Sequence, residues 1–320
     1  MNLSFRSRPL IWFHSATASS ASISSRALTS PHHARPYHPY RPHIRSLTST
    51  TSMSAPATIF SSTAAPPGKT ELKILMLHGF TQSGSLFSSK TKALSKLLTK
   101  TLSPAPFNLH PTLIFPTAPH RLRSSDIPGW TPSSDNEGND EDSDSWAWFR
   151  KDEATGAYRG LEAGMEAIAA AIRAAGGGID GVCGFSQGGA MAALVASAME
   201  HPLRVPPEST AAGETERADW TWVESLRAAN GGQPLKFCVV YSGFYAPLGR
   251  LSWLYEPEIA TPSIQFVGSL DTVVDETRTQ GLIDRSRDPQ VVTHPGGHYV
   301  PVAKDWVMVL AGWLRQQYSK

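Results

Sequence analysis

Six short runs of almost uninterrupted apolar residues recur along the chain, and segments with helical periodicity separate most of them. Strands that are apolar on both faces are typical of a parallel sheet that helices cover on both sides. The repetition of strand and helix therefore predicts one α/β domain over residues 71–320, with a mostly parallel central sheet. The runs are Lys73–Leu77, Leu113–Phe115, Gly181–Phe185, Lys236–Tyr241, Ser263–Val267 and Val291–Thr293, and the helical segments are Leu86–Leu102, Tyr158–Ala175, Gln187–Met199 and the segment around Trp306–Leu314.

Residues 1–70 have a different composition from the rest of the chain. They hold seven bases and no Asp or Glu, are rich in Ser, Thr, Ala, Pro and His, and offer few apolar residues. Such a segment cannot offset its ordering entropy by burial, so we predict a disordered basic leader. Its composition is also that of a mitochondrial transit peptide, whereas an ordinary tail would leave the protein cytoplasmic. Initiation at Met53 would likewise give a cytosolic form.

The charge and cysteine content exclude several classes of protein. The formal net charge is +2, but residues 71–320 hold 22 bases and 27 acids, so they lack the basic field that nucleic-acid binding requires. No apolar run approaches the roughly 18 residues of a membrane span. Cys183 and Cys238 are too few for a disulfide framework or a four-ligand zinc site, and we expect no metal and no cofactor. Six acids lie in residues 133–145, a predicted surface insertion.

The pentapeptide Gly184–Gly188 has the pattern G-x-S-x-G and stands between a predicted strand and a predicted helix. A serine on such a sharp, strained turn is exposed above the sheet, and glycines flank it because other side chains would clash there. The following helix directs its positive end at the turn, which favours a developing negative charge. We therefore predict that Ser186 is a nucleophile.

A serine hydroxyl needs a base to become a good nucleophile, and the base needs a carboxylate that orients it. After a turn of this kind, the acid and the histidine come later in the chain, each on a loop after a strand. Asp271 and His298 each follow one of the predicted strands. We predict Asp271 as the acid and His298 as the base, with Asp275 and His294 as the weaker alternatives.

The negative oxygen of a tetrahedral intermediate requires two backbone N–H donors. One is expected from Gln187, the residue after the predicted nucleophile. The other is expected from the loop after the first strand, at Phe80, with Thr81 as the alternative. His78 in the same loop is expected to be a structural histidine that hydrogen-bonds the loop.

Four segments carry a resemblance to a known family: Leu75–Phe87 (LMLHGFTQSGSLF), Gly184–Met191 (GFSQGGAM), Gly268–Asp271 and His294–Pro301 (HPGGHYVP). They resemble the fungal family-serine-hydrolase (FSH) group of α/β hydrolases, to which the ovarian-cancer-associated serine hydrolase is related. The resemblance implies the α/β-hydrolase fold, a catalytic triad of Ser186, Asp271 and His298, and hydrolysis of acyl esters or thioesters. The GFSQGG segment is also similar to acyl-protein thioesterases and small carboxylesterases.

Three functions stay open at this point. The first is a serine hydrolase that cleaves a carboxylic ester or thioester of a small or acyl-chain substrate through an acyl-enzyme. The second is an acyltransferase that uses the same acyl-enzyme, and the third is a non-catalytic binding protein on the hydrolase fold. The segment Trp146–Phe149 is expected either to anchor the core or to line an acyl pocket.

Overall fold

The computed structural model of the protein describes residues 58–61, 65–127, 144–152, 156–207, 220–247 and 249–318. The predicted leader up to residue 57, most of the insertion 133–145 and residues 208–219 lie outside the described residues. None of the helices within the described ranges is long and apolar enough to cross a membrane.

A seven-stranded sheet forms the centre of the described fold. In chain order the strands are β1 (Ile59–Phe60), β2 (Thr70–Leu77), β3 (Leu109–Phe115), β4 (His120–Arg121), β5 (Trp146–Ala147), β6 (Arg150–Lys151), β7 (Tyr158–Arg159), β8 (Gly181–Phe185), β9 (Phe237–Tyr241), β10 (Ser263–Gly268) and β11 (Gln290–His294). The order in the main sheet is β1-β3-β2-β8-β9-β10-β11, and β4 with β5 and β6 with β7 form two small antiparallel pairs. Every neighbouring pair in the main sheet is parallel except β1 with β3, which confirms the predicted mostly parallel sheet.

Helices cover both faces of this sheet. They are α1 (Gly84–Lys90), α2 (Lys92–Leu102), α3 (Leu161–Ala174), α4 (Gln187–Ala198), α5 (Thr221–Ala229), α6 (Glu276–Ile283) and α7 (Lys304–Tyr318). Side chains of β2 alternate between the two faces: Ile74 and Met76 pack with α1, α2 and α7, whereas Leu75 and Leu77 pack with α3, α4 and α5. Because both faces are covered, the strands are apolar on both sides, which is the pattern seen in the sequence.

The sheet begins earlier in the chain than the boundary at residue 71. Ile59 and Phe60 pair antiparallel with Phe115 and Ile114 at the sheet edge, and β2 begins at Thr70. Residues 1–70 therefore include a short edge strand as well as the predicted leader. A two-residue strand among Ala, Ser and Pro residues has too few apolar positions to produce a recognisable pattern.

Two further differences from prediction concern helices. The helical segment Leu86–Leu102 is two helices, because Thr91 ends α1 and its hydroxyl donates to the Phe87 carbonyl at 2.7 Å. Threonine hydroxyls that bond to the backbone in this way bend or interrupt helices. Helices α5 and α6 were not predicted, and α6 buries only Thr279 and Leu282, too few positions for a clear periodicity.

Candidate active site

The loops that carry the predicted site residues all leave the same edge of the sheet. Ser186 follows β8, Asp271 follows β10 and His298 follows β11. These strands are parallel members of one sheet, so their carboxyl ends lie side by side. The loop that contains Phe80 follows β2, which is also parallel to β8 and adjacent to it.

Ser186 stands on a turn that most residues cannot adopt. Its φ is 54° and its ψ is −117°, and a non-glycine residue in such a conformation costs about 1–3 kcal/mol. Close backbone contacts explain the two glycines of the motif: a Cβ on Gly184 would lie 2.0 Å from the Gly188 carbonyl oxygen. A Cβ on Gly188 would lie 2.1 Å from the Leu77 carbonyl oxygen. The surrounding backbone therefore holds the serine in its strained position.

Hydrogen bonds join the three side chains in a line. Ser186 Oγ lies 2.9 Å from His298 Nε2, and His298 Nδ1 lies 2.8 Å from Asp271 Oδ2. The other carboxylate oxygen of Asp271 accepts from the N–H groups of Val273 at 2.9 Å and Val274 at 3.1 Å. The side chains of His298 and Asp271 are 15% and 7% exposed, so little water competes for these bonds.

The ionisation of Asp271 fixes the proton arrangement of His298. Burial raises the pKa of Asp271, but the hydrogen bonds from His298, Val274 and Val273 outweigh burial and hold that pKa below its usual range. An ionised carboxylate only accepts hydrogen bonds, so Nδ1 of His298 carries a proton. In the neutral ring, Nε2 then has the lone pair and faces the Ser186 hydroxyl.

The alternatives to these residues lie elsewhere. Asp275 precedes α6 and caps it, accepting from the Thr277 N–H at 2.9 Å and from the Thr277 hydroxyl. His294 is the last residue of β11, is buried, and packs against the rings of Tyr299 and Trp306. Neither side chain hydrogen-bonds His298 or Ser186 in the described part of the chain.

The two residues whose backbone amides are expected to bind an oxyanion line the same cleft as Ser186. Phe80 and Gln187 both line that cleft, and among the described residues neither N–H donates to a protein group. Gln187 begins α4, so its N–H is one of the unpaired donors of a helix N-terminus. Thr81, the alternative to Phe80, already donates its N–H to the Trp146 carbonyl at 3.0 Å.

Ser186 and its hydrogen-bond partner His298 line two different clefts. The larger cleft has a volume of about 450 Å³ and includes Ser186 and Gln187 in its wall. The smaller cleft has a volume of about 150 Å³ and includes His298. The larger cleft is also lined by Phe80, Leu122, Asp126, Phe149, Arg150, Lys151, Tyr158, Phe244 and Arg278, and the smaller by Gln82, Phe87, Lys90, Thr91, Phe185, Tyr299 and Val300. Over the described ranges, no group of three or more His, Cys, Asp or Glu side chains could hold a metal ion.

Comparison with known proteins gives the family. The sequence model of the family described as serine hydrolase (FSH1) matches residues 68–310. The chain belongs to this family. Relatives include family of serine hydrolases 2 of Saccharomyces cerevisiae, 28% identical with 76% of this chain and 97% of the relative covered. Esterase OVCA2 of Danio rerio is 29% identical over 77% of this chain and 97% of its own length, and esterase OVCA2 of Bos taurus is 30% identical over 72% and 90%.

A buried network of side chains supports the site of this serine hydrolase. The Gln187 side chain accepts from the Trp148 N–H and donates to the Phe149 carbonyl, each at 2.8 Å. The indole N–H of Trp148 donates to the His78 carbonyl at 2.8 Å. Trp148 is therefore a core residue, whereas Phe149 also lines the larger cleft. The G-x-S-x-G motif predicts a role only for the backbone N–H of Gln187. It does not predict that the Gln187 side chain bonds to the backbone of Trp148 and Phe149.

His78 completes the network as a neutral histidine. Its Nε2 accepts from the Ala118 N–H at 3.0 Å, so its Nδ1 donates to the Gly79 carbonyl at 2.8 Å. The ring has no solvent exposure. Burial lowers the pKa of His78 from 6.5 to about 4, against smaller opposing contributions from the Gly79 carbonyl and Asp144.

This lowered pKa predicts a pH dependence of stability. Between pH 6.5 and about 4 the unfolded chain takes up a proton at His78 that the folded protein excludes, so the free energy of unfolding falls as the pH falls. We expect the loss to reach about 3 kcal/mol. Urea unfolding of the wild type and of His78→Gln across this range measures it. In His78→Gln, the free energy of unfolding should change less steeply with pH, by the equivalent of about one proton. Equal pH slopes in the wild type and the variant would contradict the prediction.

Proposed function

We propose that this serine hydrolase cleaves a carboxylic ester or thioester through an acyl-enzyme formed on Ser186. The observation that carries the proposal is the line of hydrogen bonds from Ser186 through His298 to Asp271, at 2.9 and 2.8 Å. The esterase names of the relatives from Danio rerio and Bos taurus agree with this chemistry. The oriented lone pair on His298 Nε2 is what a serine hydroxyl needs to lose its proton during attack.

In the first half of the reaction, Ser186 Oγ attacks the carbonyl carbon while His298 Nε2 takes the hydroxyl proton. The Phe80 and Gln187 N–H groups stabilise the oxyanion of the tetrahedral intermediate, and the positive end of α4 adds to this. Asp271 stabilises the imidazolium that forms. The carbon–leaving-group bond then breaks as Nε2 returns the proton to the departing alkoxide or thiolate.

In the second half, water replaces the leaving group. His298 takes a proton from the water as its oxygen attacks the acyl carbon, and the same two N–H groups hold the second oxyanion. Collapse of that intermediate returns the proton to Ser186 Oγ and releases the carboxylic acid. Overall, one ester or thioester and one water molecule give one carboxylic acid and one alcohol or thiol.

The two clefts suggest how the substrate is divided. The proton that the leaving group receives comes from His298, so the leaving group belongs beside that residue, in the smaller cleft. The acyl chain then extends into the larger cleft, where Phe80, Phe149 and Phe244 contribute apolar wall.

An acyl-enzyme has a kinetic signature that tests the proposal. With a p-nitrophenyl ester and enzyme at comparable concentrations, we expect a rapid release of p-nitrophenol, about one per enzyme, before the steady state. Mass spectrometry of the quenched enzyme should show one added acyl group on the peptide that contains Ser186. Steady hydrolysis with no initial burst and no acyl group on that peptide would contradict the proposal.

A further inference from the structure

Arg278 lies in the wall of the larger cleft, the cleft that also contains Ser186. Its guanidinium carbon lies 3.9 Å from the centre of the Phe244 ring, and its Nη2 lies 3.4 Å from Tyr158 Oη. The side chain is half-buried. Stacking on an aromatic ring holds the planar guanidinium in one orientation, so its remaining N–H groups are preorganised for a ligand.

The charges in this cleft are not balanced around Arg278. Asp126 contributes a carboxylate to the lining, but it lies 3.3 Å from Arg150 and 3.6 Å from Arg123. Asp275, at the start of α6, interacts electrostatically with Arg278, but across the described ranges no carboxylate forms an ion pair with the Arg278 guanidinium. A cation that is partly removed from water is unfavourable unless an opposite charge compensates it. A negatively charged ligand in the cleft would supply that charge.

We propose that the larger cleft binds an acyl chain that ends in a negatively charged group, and that Arg278 binds this group. The simplest such substrate is a monoester or monothioester of a dicarboxylic acid. The fork of a guanidinium matches the two oxygens of a carboxylate, and the aromatic wall suits the methylene groups between the carboxylate and the scissile bond. The proposal rests on the hydrolase function proposed above, because it concerns the acyl part of that substrate.

The position of Arg278 favours the acyl part of the substrate over the leaving group. Arg278 is in α6, which follows the loop of Asp271, and it lines the cleft of Phe80 and Gln187, the proposed oxyanion donors. It does not line the smaller cleft beside His298. A substrate with its charge on the alcohol or thiol would place that charge away from Arg278.

The experiment compares two esters of equal acyl length, p-nitrophenyl hydrogen adipate and p-nitrophenyl hexanoate. In the wild type we expect kcat/KM for the adipate monoester to exceed that for the hexanoate by roughly tenfold or more. Arg278→Met keeps an unbranched apolar side chain and removes the charge, so it should lower this ratio roughly 10- to 100-fold. Arg278→Lys, which keeps the charge without the fork, should retain part of the preference.

Arg285→Met is the matched control. Arg285 is also half-buried and also stacks on an aromatic ring, with its guanidinium carbon 3.9 Å from the centre of the Tyr245 ring. It does not line the larger cleft, so its loss should leave the ratio at the wild-type value. The wild-type ratio should also fall as sodium chloride is raised, since salt screens a partly exposed cation.

Two results would overturn this proposal and leave the hydrolase function standing. They are a wild type with no preference for the adipate monoester, and a ratio of the two kcat/KM values that Arg278→Met leaves unchanged. A ratio insensitive to salt would count against it even if the variants failed to fold. A wild type that hydrolyses neither ester and does not react with a fluorophosphonate would overturn the hydrolase function, and this proposal with it.

Discussion

Ser186→Ala is expected to lower kcat for ester hydrolysis by a factor of roughly 10⁴–10⁶. The substitution removes the atom that forms the acyl-enzyme, and no other hydroxyl lies on the strained turn. Alanine fits the site because the serine already has a Cβ there. The fold should therefore persist, and residual activity should reflect only the oxyanion donors and substrate binding. Steady-state assays with p-nitrophenyl esters measure the loss.

Ser263→Ala is the control for this substitution. Ser263 is also buried, and it begins β10, at the opposite end of that strand from Asp271. Its hydroxyl has no hydrogen-bond partner in the described part of the chain. We expect the loss of this hydroxyl to leave kcat within about twofold of the wild type, because the substitution lies away from the active site and breaks no hydrogen bond. A Ser186→Ala variant that kept a tenth of wild-type activity would remove Ser186 from the proposed role.

Asp271→Asn is expected to lower kcat by roughly 10⁴ while leaving the fold intact. The Asp271 oxygen Oδ1 is held by the N–H groups of Val273 and Val274, so the asparagine oxygen should occupy that position. The asparagine NH₂ group then faces His298 Nδ1 and can only donate to it. The proton of the ring moves to Nε2, and the lone pair no longer faces Ser186.

Asp275→Asn is the control for this substitution, because it also replaces a carboxylate by an amide but at a residue that does not bond to His298. Asp275 lies four residues later and caps α6, and asparagine caps helices as well as aspartate does. Its activity should stay near that of the wild type. If Asp271→Asn reduced kcat by less than about tenfold, the proton arrangement derived for His298 would be wrong.

The sequence was sufficient to predict the parts of the fold and the site that depend on strong local patterns. All-apolar runs mark strands buried on both faces, and G-x-S-x-G marks the turn because Gly184 and Gly188 meet backbone atoms at about 2 Å. The chain order of Asp271 and His298 follows from where parallel strands end. The hydrogen bonds among the three side chains are consistent with that order.

Contacts between distant segments were not predictable from one sequence. The hydrogen bonds from the Gln187 side chain to Trp148 and Phe149 join residues nearly forty positions apart in the sequence, and no local pattern predicts them. The stacking of Arg278 on Phe244 joins the loop after β9 to a helix with little apolar periodicity. Tertiary packing determines both features, so only the structure reveals them.

Reaction with a fluorophosphonate tests the central claim most directly, because the reagent bonds to activated serines in strong preference to ordinary hydroxyls and needs no knowledge of the natural substrate. We expect one label per chain, located by mass spectrometry on Ser186, with Ser263→Ala labelled like the wild type. Ser186→Ala should show no labelling, and Asp271→Asn should be labelled much more slowly than the wild type. A folded wild type that stays unlabelled, or a label that persists in Ser186→Ala, would contradict the assignment of Ser186 as the nucleophile.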